Sequence, residues 1–110
     1  MLIHEFIKVS EIPQSISYRD YPKEYMILIS DDFIQKYYDV TLKVEMYFND
    51  LNEKDTGLNY HGITILDSDM AEKLKTELSH FCSPSEDLAK LINLLEQSIS
   101  EKKYVIHFGI

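Results

Sequence analysis

Cysteine is nearly absent: Cys82 stands alone, so the chain can form no internal disulfide and assemble no thiolate-rich zinc site by itself. That usage suits a reducing compartment, and a cytoplasmic location is expected. Glycine is equally scarce, at three residues, which leaves little material for backbone phosphate cradles. No glycine-rich phosphate loop, no Gly-x-Ser-x-Gly elbow and no zinc-protease helix occurs. Long apolar runs are missing too. The longest, Tyr25 to Ile29, falls far short of a membrane span, and the opening "MLIHEFIKV" is interrupted by His4, Glu5 and Lys8, so it does not read as a signal peptide. Positive charge is in deficit, with 11 Lys plus Arg against 19 Asp plus Glu and a net charge of −8. Such a surface repels phosphate backbones and anionic membranes, so direct binding to either is not expected.

Against these absences stand a 45% apolar and a 12% aromatic fraction, enough to pack a core. At this length the chain predicts a single domain over residues 1–110. Leu2 to Val9 reads as a strand, and "EIPQSISYRDYPKE" as an irregular connection carrying Pro13 and Pro22. "YMILIS", Tyr25 to Ser30, is apolar on both faces and suggests a central strand. "DDFIQKYYD" offers Asp31 or Asp32 as cap for a turn or two of helix. Val40 to Phe48 alternates Val40, Leu42, Val44, Met46 and Phe48 with polar or exposed positions, predicting a half-buried strand. "NDLNEKDTG" then forms a long hairpin connection to an antiparallel partner, Leu58 to Leu66.

Two helices follow. Met70, Leu74, Leu78 and Phe81 make one apolar stripe, capped by Asp67, Ser68 or Asp69, with Asp69 and Glu72 at capping-box spacing. "SPSEDLAKLINLLEQSIS" predicts Ser83 as N-cap, Pro84 at N1 and a stripe of Leu88, Leu91, Ile92, Leu95 and Ile99. "KYVIHFGI" supplies a last strand. The order implies an α+β fold: a mainly antiparallel sheet of about five strands with a two-helix hairpin on one face.

Catalytic chemistry is weakly marked. His61 beside Gly62 reads as a strand histidine next to a bulge glycine, since a general base needs an orienting partner that the sequence does not advertise. His4, His61, His80 and His107 lie far apart, with no pair at metal-ligand spacing on one helix face; three fall in predicted strands, where tertiary structure alone decides whether they meet. His80 and Cys82, two apart, point in different directions on a helix, and Cys82 reads as a small buried residue. No enzyme activity, metal or cofactor is expected.

The acidic stretch from Asp31 to Asp55 says more. Asp31, Asp32, Asp39, Glu45, Asp50, Glu53 and Asp55 outnumber Lys36, Lys43 and Lys54, with five aromatics interleaved. Tyrosines give rigid contact area at interfaces, and acids select a basic partner. A solvated sheet edge whose tyrosines cover core would look the same, and both readings stand.

With "GLNYHGITILDSDMAEKLKTEL", where a Gly-Ile-Thr-Ile strand runs into an acidic helix start, the organisation resembles the immunity proteins of bacterial polymorphic-toxin and contact-dependent growth-inhibition systems. The resemblance covers the order of elements and the tyrosine-rich acidic loops, and carries no residue over individually. It implies a non-enzymatic protein that binds and neutralises a cognate toxin domain, often a basic nuclease. Asp50, Glu53 and Asp55 are the expected charged contacts, with Tyr47 and Tyr60 as anchors on adjoining strands. The alternative is an acidic adaptor or regulatory subunit that binds a basic housekeeping protein.

Overall fold

The computed structural model describes residues 2–110 and shows an α+β fold. Its strands are β1 (Ile3–Val9), β2 (Ile27–Ser30), β3 (Glu45–Phe48), β4 (Lys54–Thr56), β5 (Ile63–Leu66) and β6 (Tyr104–Phe108). They form one antiparallel sheet in the order β2-β1-β6-β5-β3-β4, six strands rather than about five. The helices are α1 (Asp31–Lys36), α2 (Tyr38–Thr41), α3 (Ser68–Phe81) and α4 (Glu86–Glu101). α3 and α4 form the expected hairpin on one face. Between them and the sheet lie Phe6, Met46, Leu66 and Val105 from the strands and Met70, Leu74, Leu78, Leu91 and Leu95 from the helices.

The opposite face is not bare. The irregular segment after β1 crosses it with two short 3-10 turns, and Ile12, Ile16, Tyr18 and Tyr21 pack on Ile7, Met26, Ile106 and Phe108. This is why β6 is buried on both sides, from Val105 through Phe108.

Several local expectations are corrected. β2 is an edge strand, not a central one; Leu28 is 44% exposed, and Tyr25 lies outside the strand in a 3-10 turn. Its apolar run is explained by packing of Ile29 under the helices and of Met26 under the crossing segment. The stretch predicted as one strand from Val40 divides: Val40 and Thr41 are helical, and only Glu45–Phe48 pairs. Val40 and Val44 are also i, i+4, so the apolar pattern fits either period, and Leu42 faces outward. "NDLNEKDTG" contains β4, so β3 pairs with β4 on one side and with β5, as expected, on the other. The fourth predicted strand shortens to β5, and Tyr60 and His61 sit in the turn before it.

The caps follow the right chemistry at shifted positions. Ser30, not Asp31 or Asp32, caps α1, its Oγ accepting from the Phe33 amide. Asp67 caps α3, accepting from the Met70 amide at 2.9 Å, so Asp69 and Glu72 form no capping box. Ser85 caps α4 in place of Ser83, which donates its backbone N–H to the Tyr37 hydroxyl. Phe81 leaves the α3 stripe and is 56% exposed beneath the Lys43 ammonium. Cys82 is half-buried at the end of α3, its thiol pKa pushed up by burial.

Candidate functional site

Two groups of polar residues stand out. The first is buried at the end of the sheet that α1 covers. His4 shares a face with Phe6, His107 with Val105 and Thr64 with Leu66, because side chains alternate along a strand and all three companions point into the main core. Thr64 lies directly opposite His107 in the register; on the other side Phe6 is opposite His107, and His4, two residues from Phe6, is its diagonal neighbour on the same face. All three are fully buried.

They are joined by hydrogen bonds. Thr64 Oγ1 is 3.0 Å from His107 Nδ1, His107 Nε2 is 2.8 Å from His4 Nδ1, and His4 Nε2 is 2.9 Å from Asp31 Oδ1. Asp31 also accepts from the Tyr60 hydroxyl and from Gln35 Nε2, the latter at 2.7 Å. One polarity satisfies every atom with both rings neutral: Thr64 donates to His107, His107 donates to His4, and His4 donates to the Asp31 carboxylate. The Asn59 amide completes it by donating to Thr64 Oγ1 at 2.9 Å. No buried side-chain nitrogen or oxygen among the described residues lacks a partner.

For His107 the electrostatics agree with that polarity. Burial, and then the neighbouring His4, push the His107 pKa down to about 3, so it is neutral at pH 7. Asp31 titrates below the ordinary carboxylate range: the Tyr60 hydroxyl is the main cause, burial opposes it, and His4 and Gln35 assist. Tyr60 is raised by the same carboxylate.

The series from carboxylate through two imidazoles to a hydroxyl resembles a nucleophile relay in outline, but Thr64 is fully buried and its oxygen already accepts from Asn59. No substrate atom can reach it, and a nucleophile must be reachable. The network instead ties α1, β1, β6, β5 and the Tyr60 turn together. The turn is further held by the chain end: Gly109 donates to the Gly62 carbonyl and Ile110 to that of Tyr60. A Cβ on Gly109 would lie 2.1 Å from the Tyr60 oxygen, so only glycine permits this approach.

The histidines thus converge only in part. His61 is exposed and donates from Nδ1 to a backbone oxygen of Ile110; His80 lies at the end of α3. No group of three or more His, Cys, Asp or Glu able to hold a metal occurs among the described residues. A cleft of about 480 Å³ brings His61 near Glu5 and Tyr18, but the Glu5 carboxylate is engaged by the Tyr18 hydroxyl at 2.6 Å and faces Lys23.

The second group is the β3–β4 hairpin, where the chain was expected to carry its contacts. Glu53 and Asp55 are exposed and Asp50 is partly so. Asp50 accepts from the Asn52 amide and Asp55 from the Thr56 amide, shaping the turn and the strand locally. None of the three forms an ion pair with a described residue. Gly57 ends β4 at φ +86°, where a side chain would strain the backbone and meet Leu42. Tyr47 is half-buried at the core's margin, its ring under the Lys54 ammonium at 5.2 Å. Tyr60 is separate from this hairpin's contacts: its hydroxyl belongs to the buried network, and its ring packs edge-on to His4 and Tyr38.

The buried network went unread because no local spacing joins residues 4, 31, 60, 64 and 107. The available signal was phase: His4, Thr64 and His107 each sit two residues from a core residue and therefore point inward. No helix among the described residues is long and apolar enough to cross a membrane. The chain matches no known family model, no curated protein and no solved structure.

Proposed function

We propose that the chain is a protein-binding module for a basic partner, and that it acts as an immunity protein neutralising a cognate toxin domain, a basic nuclease being the best electrostatic fit. One observation carries the reading: Asp50, Glu53 and Asp55 lie on the outermost hairpin of the sheet with no ion-pair partner among the described residues, Asp50 and Asp55 bonding only to nearby backbone amides, so the negative charge of all three is left unneutralised. A nuclease must be basic to hold its substrate, and a net charge of −8 steers such a surface inward from a distance. Tyr47, on β3 of the same hairpin, supplies the aromatic anchor. Tyr60 serves by holding the adjoining turn.

The test is co-expression with the polypeptide encoded immediately upstream, scoring growth rescue and co-purification. With that complex in hand, changing Asp50, Glu53 and Asp55 to lysine moves the net charge from −8 to −2. Steering by rim charges acts on association, so k_on falls about ten-fold or more at low salt, and the difference shrinks near 1 M salt. Association at the wild-type rate in low salt would make the hairpin merely a solubilising edge.

A further inference from the structure

The two edges of the sheet are finished differently, and the difference points to how a partner is taken. In an antiparallel pair, residues alternate between those whose N–H and C=O both face the neighbouring strand and those whose groups both face away. On β2 the outward residues are Leu28 and Ser30, since the Asp31 amide bonds to Leu2 and sets the alternation. One backbone group on each is engaged by the first turns of α4: Lys90 Nζ donates to the Leu28 carbonyl at 2.6 Å, and the Ser30 amide donates to Asp87 at 3.3 Å, while the Leu28 amide has no partner among the described residues. Asp87 and Lys90 are themselves paired at 3.5 Å. A cation on a carbonyl and a carboxylate on an amide block this edge to a further strand at both of its outward residues.

β4 has no such closure. The Phe48 amide bonds to Glu53 and the Gly57 amide to Val44, so Glu53, Asp55 and Gly57 face β3 while Lys54 and Thr56 face outward. The Thr56 amide is turned back onto the Asp55 carboxylate at 2.8 Å. The Lys54 amide, the Lys54 carbonyl and the Thr56 carbonyl have no hydrogen-bond partner among the described residues, and every residue of the strand is exposed. Open edges of this kind accept a further strand, and natural proteins usually close them.

We infer that β4 is the docking edge, and that it takes an extended segment of the partner carrying Lys or Arg at every second position, added to the sheet as a seventh strand. The inference rests on the reading of the hairpin as an interface and adds the mode of binding. Glu53 and Asp55 are two residues apart and share one face of the edge, so a strand laid alongside presents every second side chain to them. Backbone bonds to Lys54 and Thr56 then fix the register that charge alone leaves open. A lone acidic patch would attract any cation; an acidic patch on an open strand edge selects an extended basic one.

The experiment uses the full chain and a capped alternating Lys–Val peptide as probe, followed by NMR titration. A second peptide of the same charge, N-methylated at alternate amides, keeps its side chains but cannot pair along that edge. The expected result is a shift of the Lys54 and Thr56 amides with the first peptide and affinity weaker by about ten-fold or more with the second, the loss of two or so backbone hydrogen bonds. Lys54→Pro should reproduce that loss relative to Lys54→Gln. Both change the charge equally, and proline removes only an outward-facing N–H, which edge strands tolerate. Equal binding of the two peptides would overturn strand addition while leaving charge-steered binding by the hairpin intact. No shift at Lys54 or Thr56 with either peptide would overturn it as well. Failure of the underlying reading shows separately, as an unchanged association rate in the triple lysine variant. If Lys54→Pro proves unfolded, the peptide pair on the wild-type protein still decides.

Discussion

The buried chain from Thr64 to Asp31 and the acidic hairpin from Glu45 to Thr56 are both polar and both built on strands, yet they bear opposite relations to the fold. In the first, no buried side-chain nitrogen or oxygen lacks a partner among the described residues, Thr64, His107 and His4 are fully buried, and five separate parts of the chain meet in one network. In the second, Asp50 and Asp55 bond only to amides one or two residues away, and Glu45 has an exposed ion pair with Lys54 at 4.0 Å. A polar group in a low-dielectric interior is costly unless fully paired, so the buried chain must be complete. A charge in water costs little and contributes little, which leaves the hairpin free for recognition.

The sharpest way to break this contrast is at His107. Truncation in His107→Ala leaves a cavity, strands His4 Nδ1 and deprives the Thr64 hydroxyl of its acceptor, so unfolding free energy should drop by about 3 kcal/mol in urea titration. A loss below about 1 kcal/mol would mean that the network is not a keystone of the fold.

Acid offers a second test, read as the urea midpoint against pH. In the unfolded chain His107 takes a proton near its ordinary 6.5, whereas burial keeps it neutral in the fold down to about 3. Its stabilising contribution is therefore complete above pH 6.5 and is lost as pH falls towards 3, at up to about 1.4 kcal/mol per pH unit. Asp31, lowered by Tyr60, adds its own loss in the same direction as pH falls below the ordinary carboxylate range. His107→Gln should flatten the upper part of that decline; an unchanged slope would assign it elsewhere.

Between the two extremes stands the Asp87–Lys90 pair, whose job is to close an edge. The burial of Asp87 raises its pKa, but hydrogen bonds from Ser30 and the nearby Lys90 outweigh this and hold it below its ordinary value. Replacing both residues by alanine should cost about 1 kcal/mol and promote self-association through β2, seen as a rise in scattering mass with concentration. A strictly monomeric double variant would argue that the pair does not guard the edge. The smallest effect belongs to the hairpin: the triple lysine variant should change stability by about 0.5 kcal/mol or less, the ordinary range for exposed positions, measured by the same denaturation. A larger loss would show that those acids serve the fold after all.

Much of the architecture was legible because local rules act over a few residues. The stripe of Met70, Leu74 and Leu78, the Asp67 cap and the β-run of "YVIHF" each arise from spacing alone, and they gave the α+β order and the helix hairpin. Shifts occurred where two local patterns competed, as at Val40 and Val44, which fit either a strand or a helix, and at Ser83 and Ser85, which both suit a cap. The acidic character of Asp50 to Asp55 was also visible, since charge is a property of the sequence itself, but the segment reads as a connection and its strand β4 does not show.

Net charge and the secondary elements of strong period follow from the residues and their order alone. Only tertiary structure decided which strands became edges, which edge α4 closed, and that residues 103 positions apart would share a hydrogen bond. The physical reason is range. Periodicity and capping are settled within a turn or two of backbone, whereas edge status and the completion of a buried network depend on which distant segments burial brings together.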